Sequence, residues 1–149
     1  MANVFETDGY VLAIIRAPRK GPRMAVSAYV TFDTQYPERV VPFWCELLEV
    51  EVRIVRDQGR YVVLAPSSRL PGSMMLVFQR VPEPKSAKNR LHVDVIVDDI
   101  EEGTRKVQSL GGRWMEPGHT LDSDGIYWRV MADPEGNEFC ICLKPQERP

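Results

Sequence analysis

Two short segments of this 149-residue chain carry side chains suited to acid–base or metal chemistry. One is residues 91–97, LHVDVIV, where His92 and Asp94 stand two apart. The other is residues 138–143, EFCICL, where Glu138, Cys140 and Cys142 repeat that spacing. Residues i and i+2 of a β-strand share a face. As strands, both segments send their ionisable and soft groups one way. Their apolar sets, Val93, Val95 and Val97 on one and Phe139, Ile141 and Leu143 on the other, go the opposite way. The imidazole of His92 and the carboxylate of Glu138 can work as a general acid–base pair. The same two groups are donors for divalent Zn, Ni, Fe or Mn. A simpler reading hydrogen-bonds His92 to Asp94 or Glu138 and satisfies Glu138 with that imidazole or with water. No base or helix N-terminus adjoins the cysteines, so Cys140 and Cys142 read as small buried hydrophobes and Cys45 as helix packing.

These segments belong to an order that occurs twice. Residues 24–32 alternate as a strand, and Pro37 opens a helix on which Val40, Val41, Trp44, Leu47 and Leu48 recur at helical spacing. Three strand candidates follow at 51–55, 60–64 and 73–78. A polar, proline-bearing linker spans 81–90. Beyond it come the strand 91–97, a helix 100–110 capped by Asp98 or Asp99 and stopped at Gly111-Gly112, and strands at 112–115, 125–131 and 138–143. Strand, helix and three strands thus recur about 65 residues apart, the mark of an internal duplication. The expected fold is α+β, two βαβββ repeats forming a curved, partly open mixed β-barrel with helices outside. Residues 1–24 are an N-terminal arm, with an accessory strand at 10–16. Residues 25–149 form the domain, with repeats at about 25–80 and 91–143.

The halves differ in what they offer. Aligning the small residues Ser73 and Asn137 sets Met74, Leu76 and Phe78 where Glu138, Cys140 and Cys142 stand. An apolar wall of Met74, Leu76 and Phe78 then faces a polar one of His92, Asp94 and Glu138. Tyr29 and Trp128 are further lining candidates, and His119 sits in a loop, 117–120, that either lies over the cleft or, as the simpler reading, is exposed to solvent.

These residues together resemble the vicinal oxygen chelate superfamily, and within it the glyoxalase-like and bleomycin-resistance-like proteins. The likeness is carried by Leu-His-Val-Asp-Val at 91–95 with Asp-Asp-Ile at 98–100, by Leu-Gly-Gly at 110–112, and by Asp-Pro-Glu-Gly-Asn-Glu-Phe at 133–139. Phe43-Trp44 before Leu47-Leu48 adds to it, with Glu49 in place of the usual glycine. The resemblance implies a divalent metal held between the repeats by the first and last strands of each. His92 and Glu138 match two of those ligands. In the first repeat the same step from the helix lands on Ser27, and the last-strand position falls near Met74 or Leu76, so the set is incomplete. Tyr29, Cys142 or His119 could fill in. The resemblance also implies a homodimer, with the arm as a candidate interface.

The function expected is therefore a glyoxalase-like protein that binds a small organic molecule in the cleft between repeats, with a degenerate metal site. The alternative is a divalent-metal-dependent lyase, isomerase or dioxygenase. Composition bounds both. The chain is 44% hydrophobic and 27% charged with a net charge of −2. That balance fits a folded domain and gives no basic footprint for nucleic acid. No apolar run approaches the roughly 20 residues of a membrane span. Three cysteines suggest no disulfide framework. A cytoplasmic location is expected.

Overall fold

The structure, a computed structural model, describes residues 3–7, 10–14, 29–65 and 75–143. The first repeat runs β3 (Val30–Thr34), α1 (Pro37–Leu48), β4 (Glu51–Arg56), a single 3-10 turn (Asp57–Gly59), β5 (Tyr61–Ala65) and β6 (Leu76–Arg80). The second runs β7 (Asp94–Val97), α2 (Ile100–Ser109), β8 (Arg113–Trp114), β9 (Leu121–Ser123), β10 (Ile126–Ala132) and β11 (Glu138–Leu143). Ahead of both, β1 (Asn3–Thr7) pairs antiparallel with β2 (Tyr10–Ile14). β2 occupies the accessory strand read from the sequence, and β1 is additional.

Each repeat makes its own mixed sheet, in the orders β3-β6-β5-β4 and β7-β11-β10-β8, with β9 on the flank of β10. In both, the first strand lies parallel to the last and the other pairings are antiparallel. The α+β duplication is therefore real in three dimensions. The sheets are open, and no closed barrel forms among the described residues.

One face of each sheet packs beneath its helix. α1 begins with Pro37 in its first turn, where a missing N–H costs nothing, and buries Pro37, Val40, Phe43 and Trp44 along one stripe. It ends in the left-handed conformation at Glu49 (φ 52°), the place a glycine would take without strain. α2 starts at the N-cap Asp99, whose carboxylate accepts from the N–H groups of Glu101 and Glu102 at 2.8 Å each. Its Gly111-Gly112 exit serves two needs. Gly111 has φ +92°, while a Cβ on Gly112 would stand 2.8 Å from the Ala132 carbonyl and 2.9 Å from the Phe43 ring.

The two repeats share one core. Trp44 lies 4.9 Å from Phe139 and Phe43 lies 5.9 Å from it, centroid to centroid, while Phe32 stacks on Phe78 at 5.1 Å. The Trp44 indole N–H also donates to Asp133 Oδ2 at 3.2 Å in the turn before β11. Burying these rings across the junction supplies the driving force that holds the halves together.

Candidate functional site

The opposite face of the second sheet carries several of the candidate groups. β7 and β11 run side by side, with Cys140 opposite Asp94 and Cys142 opposite Ile96. Across the next ladder Trp128 stands opposite Cys142 and Val130 opposite Cys140. Asp94, Ile96, Cys140, Cys142, Val130 and Trp128 therefore share one face, since directly paired residues point the same way. Val95, Phe139, Ile141 and Met131 take the core face.

His92, two residues before β7, puts Nε2 at 3.3 Å from Asp94 Oδ1. The Cys140 sulfur completes a group of three donors that all lie within 4.8 Å of one another. Burial, and then the charge of the neighbouring Asp94, pushes the Cys140 thiol up to about 12, and the same causes take Cys142 to about 11. Both are protonated thiols at neutral pH, which suits their reading as hydrophobes rather than nucleophiles. His119 is exposed and pairs with Glu116 at 2.8 Å.

Glu138 has other partners. Its carboxylate takes an ion pair from Lys85 at 2.8 Å and a hydrogen bond from the Asn89 N–H at 3.1 Å. Asn89 Nδ2 donates in turn to the Glu138 carbonyl at 3.3 Å. Burial alone would raise this carboxyl, but Lys85 and the Asn89 N–H outweigh it and hold the group below its ordinary value. The 81–90 segment, read from the sequence as a solvated linker, thus supplies two of the side chains that organise the site. Its only advance signal was a lysine and an asparagine in a polar stretch.

The ladders correct the alignment of the repeats. Phe78 pairs with Phe32 as Ile141 pairs with Val95, an offset of 63 residues on both strands (141 − 78 and 95 − 32). The N-cap residues Tyr36 and Asp99 keep the same offset. The first-repeat counterparts of His92 and Glu138 are then Tyr29 and Met75, not Ser27 and Met74 or Leu76. Ser27 and Met74 lie outside the described residues. Leu76 and Phe78, expected on the cleft wall, are buried in the core at 2% and 0% exposure. Their slot on the open face falls to Met75 and Val77, because a one-residue slip exchanges the faces of a strand. The counterparts of His92, Asp94 and Cys140 are Tyr29, Thr31 and Val77.

A metal bridging the repeats does not fit these residues. Of the four implied donors, Met75 offers a thioether unsuited to a hard divalent ion. Tyr29 offers a phenol, and the Glu138 carboxylate is already engaged by Lys85 and Asn89.

A cleft of about 850 Å³ opens where β3 approaches the chain entering β7. Its walls include Val30, Phe32 and Arg39 from the first repeat and His92, Val93 and Glu135 from the second. Glu135 also closes across it, accepting from the Gln35 N–H at 2.9 Å and from the Thr34 hydroxyl. Of the candidate lining residues, His92 is on this wall. Tyr29 instead borders a second depression over the open face of the first sheet, with Val52, Ile54, Val63, Met75 and Val77.

Comparison with known proteins agrees with the duplicated fold. The sequence profile of the glyoxalase-like domain matches residues 29–142. No curated protein is matched by the sequence. Among solved structures, one similar chain is a glyoxalase/bleomycin resistance protein/dioxygenase family enzyme from Burkholderia phytofirmans. It is 15% identical with a TM-score of 0.62, covering 77% of this chain and 95% of its own. A superfamily member from Sphaerobacter thermophilus is 18% identical with a TM-score of 0.59, covering 81% and 98%. The fosfomycin resistance protein FosX from Mesorhizobium loti is 13% identical with a TM-score of 0.61, covering 83% and 96%. At these identities the likeness is one of fold. With the profile spanning both βαβββ repeats, the chain belongs to the glyoxalase-like domain family of the vicinal oxygen chelate superfamily.

Proposed function

We propose that this protein binds a small organic molecule in the cleft between its repeats and does so without an ion bridging them. The observation that carries this reading is the cleft itself. Its volume of about 850 Å³ lies within the roughly 300–1,000 Å³ of small-molecule sites. Both repeats line it, with apolar Val30, Phe32 and Val93 beside charged Arg39, Glu135 and the imidazole of His92. Such walls suit a ligand with an apolar body and a few polar groups. The engagement of Glu138 by Lys85, and Met75 at the matching position, support a degenerate metal site.

Thermal-shift screening of small aromatic and carboxylated compounds, with and without a chelator, tests the reading. The expected result is at least one compound that stabilises the native chain in chelator and no longer does so in Val30→Trp, whose larger side chain fills the cleft. Stabilisation that survives that substitution would place the ligand elsewhere.

A second reading, a metal-dependent lyase, isomerase or dioxygenase, draws on the His92, Asp94 and Cys140 group. An ion there would act as a Lewis acid on a substrate oxygen. The homodimer and the cytoplasmic location belong to the same proposal. No described helix is long and apolar enough to cross a membrane.

A further inference from the structure

The geometry points to a soft divalent-cation site, suited to zinc, built by His92, Asp94 and Cys140 within the second repeat alone. It uses one position of the implied family set and two others, Asp94 and Cys140, and needs nothing from the first repeat. It deepens the second reading of this group and rests on it. It shares His92 with the cleft wall, so its test uses the ion alone, with no organic ligand present, and its failure leaves the small-molecule reading standing.

Ligand type comes first. One imidazole, one carboxylate and one thiolate are all zinc donors, the Cys140 thiol giving up its proton to solvent as the ion binds, and three protein ligands leave a fourth position for water or another ligand. Geometry follows. Zinc bonds of about 2.0–2.1 Å to nitrogen and oxygen, at a tetrahedral angle, separate those two atoms by roughly 3.3–3.4 Å. His92 Nε2 and Asp94 Oδ1 already stand 3.3 Å apart. A zinc–sulfur bond of about 2.3 Å would set the sulfur about 3.5 Å from that nitrogen. The sulfur is at present within 4.8 Å of both other donors. The side chains of His92 and Asp94 are 51% and 54% exposed, which leaves them room to turn toward the sulfur.

The backbone is fixed where it must be. Cys140 sits directly opposite Asp94 in the parallel ladder, and its N–H donates to the Val93 carbonyl at 2.9 Å. Residue 92 is placed two before Asp94, on the same side. The Lys85 ammonium holds Glu138 away from this role. In the first repeat the same three places hold Tyr29, Thr31 and Val77, which could not form a matching site.

The test is titration of the reduced, chelator-stripped full chain with Co²⁺, the spectroscopic stand-in for zinc. Expected are saturation at one ion per chain, a thiolate-to-cobalt charge-transfer band with tetrahedral ligand-field bands, and displacement by Zn²⁺. Cys140→Ser should abolish the charge-transfer band. Asp94→Asn and His92→Gln, at exposed positions that leave the fold intact, should each weaken Co²⁺ binding at least about tenfold. Absence of the charge-transfer band in the unaltered chain would overturn the assignment. So would Co²⁺ affinity unmoved by Asp94→Asn, or lost in Glu138→Gln while Cys140→Ser retains it.

Discussion

The Lys85 ammonium lies 2.8 Å from Glu138 Oε2, with both side chains largely withdrawn from water. That contact occupies the carboxylate which the family likeness assigns to a metal. It also ties the segment between the repeats to the first residue of β11.

Removing the ammonium leaves Glu138 Oε2 with the Asn89 N–H as its remaining partner among the described residues. Lys85→Ala should cost about 2 kcal/mol of stability, the range for a hydrogen bond to a charged group with its partner left behind. Chemical denaturation checks this. Adding Glu138→Gln to Lys85→Ala should cost less than the sum of the two single substitutions, because the stranded charge is then gone.

At the junction of the repeats, Asp133 is fully buried and accepts four donors. Oδ1 takes the N–H groups of Glu135 and Asn137 at 2.9 and 3.0 Å; Oδ2 takes Asn137 Nδ2 at 2.9 Å and Trp44 Nε1 at 3.2 Å. Asp133→Ala should therefore destabilise the protein by roughly 3–5 kcal/mol. Trp44→Phe, which strands one acceptor site among four, should cost clearly less. Denaturant midpoints of the two variants give the comparison.

Much of the fold is legible in the sequence because local signals agree there. The alternation in 91–97, the Asp99 cap and the Gly111-Gly112 stop place β7 and α2 to within a few residues, and β11 is read end to end. β9 was missed although Asp124-Gly125, with φ of 51° and 79°, is the usual signal of a two-residue hairpin. The open-face residues were harder. Matching Ser73 to Asn137 sets β6 one residue out of register, and parity then puts Leu76 and Phe78 on the wrong face. Only the ladder shows that Met75 and Val77 are the true counterparts. Lys85 and Asn89 were invisible because nothing local tells a linker that reaches back to β11 from one that faces water.

Glu49 holds a left-handed conformation at the end of α1 with φ 52° and ψ 42°. A side chain is strained there and glycine is not. Glu49→Gly should raise stability by about 1 kcal/mol, read as a higher melting temperature with ligand binding unchanged.

Arg129 is buried beneath α2, where it ion-pairs with Glu101, bonds Thr104 and Thr120 at 2.8 Å each and lies over the Trp114 ring at 4.1 Å. The hydrogen bond from Arg129 holds the Glu101 carboxyl below its ordinary value. A carboxyl lowered on folding adds stability that is present above its unfolded value of about 4.5 and is lost as pH falls through the lowered folded value. Glu101→Gln should therefore be less stable than the unaltered protein at neutral pH, with a shallower loss on the acid side. The two curves should converge at low pH in a denaturation series.

The most direct measurement is calorimetric titration of the best cleft ligand into the Cys140→Ser chain, in which the second-repeat cation site is broken, once after exhaustive chelation and once with added divalent metal. Independence of binding from metal predicts the same affinity in both, lost in Val30→Trp. Binding that vanishes on chelation and returns with one equivalent of metal would contradict a cleft that works without an ion between its halves.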